Sequence, residues 1–224
     1  MRLGPSSTAT GSGSEAFRGQ FPNFVHLLTY DSVGSHGCGA SLITDRHVLT
    51  AAHCVDKDFN KTRSTVSANI IDTDSAEDGT DKEVQIRRIK QVIVHPDTDK
   101  YALLSKKLLY TYVPNIDHTW CKSRWQMLSG GLNDITDKQI CYGSLDHGTA
   151  SGDSGGPIQV INSSDRKSYQ IGLTSYGGSG RKNSMAQHEF PGVYTRVSQY
   201  CDFIGESTGG LFKCENSNPN PCKK

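Results

Sequence analysis

The chain has 224 residues, 34% of them hydrophobic, and a formal net charge of +1, a length that allows one large domain or two half-domains sharing a site. So even a charge balance gives no footing for a nucleic-acid or other polyanion partner. No apolar run approaches the ~18–20 residues that a membrane-spanning helix needs.

Residues 1–16 are rich in Ser, Gly and Thr and read as a disordered segment, with no apolar stretch of an export signal. From Phe17 the text turns to short β-type runs broken by turn residues: Phe24–Tyr30, Ala40–Ile43, Val48–Thr50, Val84–Ile89, Gln91–Val94, Gly156–Ile161, Tyr169–Thr174 and Gly192–Val197. Short strands at such spacing predict an all-β sandwich or barrel rather than βαβ units. Val197–Ile204 can begin a short C-terminal helix, so residues 17–206 are taken as the folded domain and 207–224 as a polar tail.

Seven cysteines sharpen this. Cys38, Cys54, Cys121 and Cys141 fall in two close pairs along the chain, while Cys201, Cys214 and Cys222 gather near its end. That grouping fits a disulfide framework made in an oxidising compartment, hence a secreted, extracellular location. The sequons Asn60-Lys61-Thr62 and Asn162-Ser163-Ser164 agree with it. The odd cysteine is free, pairs between chains or has lost its partner, and the pairing of the last three stays open.

The chemistry sits in two motifs. Ser154 lies in Gly152-Asp153-Ser154-Gly155-Gly156-Pro157, a hexamer expected by chance about once in ten million positions. A serine hydroxyl attacks only when a base takes its proton and donors receive the oxyanion, and flanking glycines let backbone N–H groups turn toward one point. The second motif is Thr50-Ala51-Ala52-His53-Cys54, in which a bonded Cys54 would hold the imidazole as a general base requires.

Together these motifs resemble the two signatures of the chymotrypsin/trypsin-like serine protease family, in the family's order. Gly19–Pro22, Cys38–Ile43, Gly172–Gly177 and Pro191–Val197 extend the resemblance over about Ser14 to Ile204. It implies two antiparallel β-barrels with the site in the cleft between them. It also implies a serine endopeptidase acting through a Ser154 acyl-enzyme, with His53 as general base and the N–H groups of Gly152 and Ser154 as oxyanion hole. Cys38–Cys54 and Cys121–Cys141 look like family disulfides, and Ser175-Tyr176-Gly177 would bind a peptide as an added strand. Protein or peptide substrates and protease inhibitors are the implied partners of a monomer, with no cofactor and no metal.

The chain departs from the family in four places. The triad aspartate should stand two residues before Ala102-Leu103-Leu104, but Lys100 stands there. Asp99 is the candidate if a bulge restores its face; otherwise Asp97 and Asp99 are turn residues. After Leu104 the linker and a Gly-Trp-Gly strand are missing, so a middle segment reads as deleted and the second barrel as incomplete. No basic-apolar junction precedes Ser14 to supply the amino terminus that the family pairs with the aspartate at Asp153. At the specificity pocket, Gly148 replaces the aspartate of a trypsin and lies with Gly177 and Gly192, which implies apolar or aromatic side chains unless Asp146 or Glu189 points inward. Ala150 also replaces a cysteine whose partner near Ser179-Gly180 is absent. The alternative function is a catalytically inactive homologue that binds proteins with the same cleft. A metal site at His95, Asp97 and Asp99 rests on ordinary turn chemistry and is set aside.

Overall fold

The computed structural model describes residues 2–3, 14–55, 58–77, 79–95, 109–150 and 152–215. In chain order its elements are β1 (Arg2–Leu3), β2 (Ser14–Glu15), β3 (Phe24–Tyr30), β4 (Ser35–Leu42), β5 (Val48–Leu49), β6 (Thr65–Ala68), α1 (Thr73–Glu77) and β7 (Gln85–Arg88). Then come β8 (Leu109–Tyr110), β9 (Asn115–Ile116), α2 (His118–Leu128), β10 (Gln139–Tyr142), β11 (Pro157–Ile161), β12 (Ser168–Tyr176), α3 (Gly180–Met185), β13 (Gly192–Arg196) and α4 (Cys201–Ser207).

Two antiparallel sheets make the fold, one from each half of the chain except that β1 joins the second. The first runs β5-β4-β3-β6-β7 and the second β1-β11-β12-β13-β10-β9, with a small β2-β8 pair beside them. This is the all-β, trypsin-like arrangement with a short C-terminal helix. Alternation along β3 explains the first core: Val25 and Leu27 point to one face and pack with Cys38, Ala40, Ala51 and Cys54. Register fixes that packing, with Val25 opposite Ala40 and Leu27 opposite Cys38. The second sheet closes over Val113, Ile140, Tyr142, Ile158 and Tyr194. A 3₁₀ turn at Val197–Tyr200 leads into α4, whose Ile204 packs on Leu173 and Val197. Cys201 pairs with Cys214 and ties α4 to the chain beyond it.

Several expectations change. Gln91–Val94 is no strand, because its residues are mostly exposed and form no ladder. At the amino end, Arg2–Leu3 pairs with Gln159 and Ile158 on β11, and Ser14–Glu15 pairs with β8. The sequence carries no clear periodic signal for the eleven-residue α2. Its start is signalled by Asp117, whose carboxylate accepts from the Trp120 N–H at 2.9 Å. Its apolar face is thin: Cys121 and Trp125 are buried while Trp120, Met127 and Leu128 are exposed, which blurs the helical period.

The opposite face of β3 carries a buried titratable group. His26 shares a cavity with Leu28, Tyr30, Thr65, Ser67 and Ile86, and its Nε2 has no hydrogen-bond partner among the described residues. Burial pushes the imidazole down from 6.5 to about 4. Above 6.5 the ring is neutral in both states. Below that value the unfolded chain takes up a proton that the folded chain refuses until about pH 4, so stability falls by ~1.4 kcal/mol per pH unit, about 3 kcal/mol in all. Urea unfolding of wild type and His26→Leu across this window should give a steep pH slope for the first and a shallower one for the second. Equal slopes would rule out His26 as the source.

Candidate active site

His53 sits on a 3₁₀ turn, Ala52–Val55, that follows β5. The turn is fastened beside the ring, because Cys54 is bonded to Cys38 of β4. It is fastened again two residues upstream of Ala52, where the Thr50 hydroxyl donates to the Gly39 carbonyl at 2.9 Å. The imidazole is half-buried.

Ser154 lies in a tight turn that leads into β11. Gly152 and Gly155 hold φ of +97° and +75°, conformations that a side chain would strain. Asp153 N–H donates to Ala150 O at 3.1 Å and Gly156 N–H to Asp153 O at 2.8 Å. The buried Asp153 carboxylate accepts from the Ala150 N–H at 2.6 Å. The acid beside the serine is thus held in part by an amide of its own loop. Gly155 N–H donates to Thr174 O and Thr174 N–H to Gly156 O, both at 2.9 Å, which docks the turn on β12.

The two motifs meet at Gly39. Its N–H donates to the Ser154 carbonyl at 2.9 Å, and Cys54 Sγ lies 3.8 Å from that same oxygen. The residue next to His53 therefore touches the backbone of Ser154. The approach needs glycine: a Cβ on Gly39 would lie 2.7 Å from Gly156 Cα. Asp97 and Asp99 lie outside the described residues. His95 packs edge-on against Tyr200 and Phe203, at 4.9 and 5.1 Å between ring centres. Cys38, His53 and Cys54 bring potential ligand atoms within 4.8 Å of one another, but both sulfurs are committed to the disulfide.

The residues expected to line a pocket also gather. Gly177 follows the end of β12, and its Cβ position is 3.8 Å from Gly192 Cα. Gly192 pairs with Tyr142 across β10, and Gly148 is buried nearby. Ser175 and Tyr176 are half-buried at a register shift of β12 against β13, where Tyr176 meets the Trp125 ring edge-on at 5.1 Å. Trp125 in turn donates to Pro191 O at 3.2 Å, and Cys121 is bonded to Cys141, so α2 buttresses this wall. Neither doubtful acid points inward. Asp146 is exposed, and Glu189 is largely exposed and pairs with Arg124 at 3.7 Å. What the motifs did not reveal is Gln187, which is wholly buried and bonded to Thr149.

Comparison with known proteins agrees with this arrangement. The family described as Trypsin matches residues 10–104 and 97–204. The chain is 30% identical over 254 positions to a mouse (Mus musculus) tryptase, covering 90% of each protein. It is 29% identical over 239 positions to a trypsin-like protease of Streptomyces glaucescens, covering 89% of this chain and 82% of that protein. Trypsin Blo t 3 of the mite Blomia tropicalis is 29% identical over 239 positions, covering 86% and 83%. The chain belongs to the trypsin-like serine protease family.

The seam between the motifs sets a prediction. A Cβ on Gly155 would run into the Thr50 hydroxyl and lie 2.5 Å from Gly39 O and 2.9 Å from Ala51 N. Gly155→Ala combines that overlap with a positive φ, so it should cost at least ~2 kcal/mol of unfolding free energy. Thermal and urea melts check this; a variant as stable as wild type would mean the seam is looser than drawn.

Proposed function

We propose that the chain is a serine endopeptidase, with His53 as general base and Ser154 as nucleophile. His53 takes the Ser154 Oγ proton as Oγ bonds to the peptide carbonyl carbon, and the N–H groups of Gly152 and Ser154 receive the oxyanion. The C–N bond then breaks, His53 returns the proton to the leaving amine, and water hydrolyses the ester by the same route in reverse. Asp99 is the proposed carboxylate behind the ring. Ser175-Tyr176-Gly177 would align the substrate backbone as a strand beside β12. Gly148 brings no charge to the pocket, so neutral side chains are expected at the cleaved bond. Secretion, and a monomer meeting protein substrates and inhibitors, complete the reading.

The observation that supports this most is the Gly39 N–H donating to Ser154 O at 2.9 Å, with Cys54, the neighbour of His53, against the same carbonyl. Both contacts hold the backbone that carries the hydroxyl beside the turn that carries the imidazole, the proximity that a proton transfer between them requires. The competing reading is a protein-binding homologue without turnover, using the same cleft.

Fluorophosphonate labelling separates the two. An enzyme should label at Ser154, not label as Ser154→Ala, and label at least ~100-fold more slowly as His53→Ala. Absence of label on folded wild type would sink the enzyme and leave the binder.

A further inference from the structure

Three glycines that look like open space are occupied by one side chain. Gln187, between α3 and β13, is among the most deeply buried residues of the chain, at 0% exposure. A Cβ placed on Gly148 would fall onto its carboxamide. One on Gly192 would lie 2.9 Å from its Oε1, and one on Gly143 only 2.5 Å from its Cβ. The carboxamide is held from both sides by one residue: Oε1 accepts from the Thr149 N–H at 3.1 Å, and Nε2 donates to the Thr149 carbonyl. A buried amide bonded at both ends is stable where it lies and costly to displace.

The Cβ position of Gly177 lies 3.8 Å from Gly192 Cα and 4.0 Å from Thr149 Oγ1, ordinary contact distances that put Gly177 beside the same group of residues.

We infer that Gln187 is the floor of the specificity pocket, filling the space that a side chain at position 148 would occupy, and that it restricts the cleaved-bond residue to short, uncharged side chains of about alanine to valine size. This rests on the peptidase reading, which makes Gly148, Gly177 and Gly192 the pocket, while the position of Gln187 among these glycines does not depend on it. It also narrows the expectation drawn from Gly148 alone, which admitted aromatic side chains. Glycine at 143, 148 and 192 thus reflects the bulk of Gln187 rather than an empty slot.

The test is binding of p-aminobenzamidine, a small aromatic cation, followed by its fluorescence on the full chain carrying Ser154→Ala, so that turnover is irrelevant. An amidinium needs both space and a carboxylate at the base. Wild type and Gly148→Asp should bind weakly, because Gln187 stands where the new carboxylate must go. Gly148→Asp combined with Gln187→Gly should bind at least tenfold tighter than Gly148→Asp alone. Gln187→Glu, which carries the carboxylate in from the other side, is the second variant and decides the matter if the double variant does not fold. The inference is overturned if Gly148→Asp alone binds as tightly as the double variant, or if the folded variants, checked by circular dichroism, bind no better than wild type. On active wild type, peptides cleaved after Ala or Val should exceed those cleaved after Phe by at least tenfold in kcat/KM; the reverse order also overturns it. Failure of Ser154 to label would remove the enzyme while leaving the amidine comparison intact.

Discussion

One backbone hydrogen bond organises the molecule: Gly39 N–H to Ser154 O at 2.9 Å. It joins a strand of the first sheet to the turn that opens the second, and it forms only because two glycine backbones approach without side chains between them. Around it the Cys38–Cys54 bond, the Thr50 hydroxyl and the ladder from Gly155 to Thr174 converge within a few residues. Each sheet has its own apolar cluster, and this seam, with Ile43 and Leu49 packed toward Leu173 and Val197, is where the two are joined. The proposed chemistry inherits its geometry from there, since Ser154 supplies the carbonyl of the seam and His53 precedes the cysteine that touches it.

Much of this could be read from residues. The alternation of Phe24–Tyr30 and the positive φ of Gly152 and Gly155 follow from local chemistry that sequence records directly, while the pairing of Cys38 with Cys54 was legible only through the family resemblance. The helix His118–Leu128 could not be seen because it buries mainly Cys121 and Trp125, one turn apart, and leaves its other apolar residues in solvent. Gln91–Val94 had the composition of a strand but finds no neighbour to pair with among the described residues, and strand propensity without a partner decides little. Gln187 was hidden for a different reason. Its role depends on Thr149, which lies 38 residues away, and no periodicity or motif announces a polar side chain that fills a hole left by distant glycines.

The middle of the chain is where the family pattern and this sequence part. The family match comes in two pieces that overlap at residues 97–104, beside the place where sequence reading finds a segment missing. Alignments of 239 and 254 positions exceed the 224 residues of the chain, so the relatives carry stretches that have no counterpart here. The first sheet ends on β7, whose four residues are all exposed. Among the described residues nothing pairs with its outer edge, whose Arg87 and Arg88 are of the charged kind that discourages a further strand.

Where the family has a covalent staple between the loops at Ala150 and Ser179-Gly180, this chain has a carboxamide bridging Thr149 and Gln187. A thiol can cut a disulfide, but no reductant touches this carboxamide bridge. The loop that carries His53 keeps its disulfide. A reducing medium would cut Cys38–Cys54 beside His53 and Cys121–Cys141 behind Trp125 alike, while the Thr149–Gln187 bridge would keep its hold.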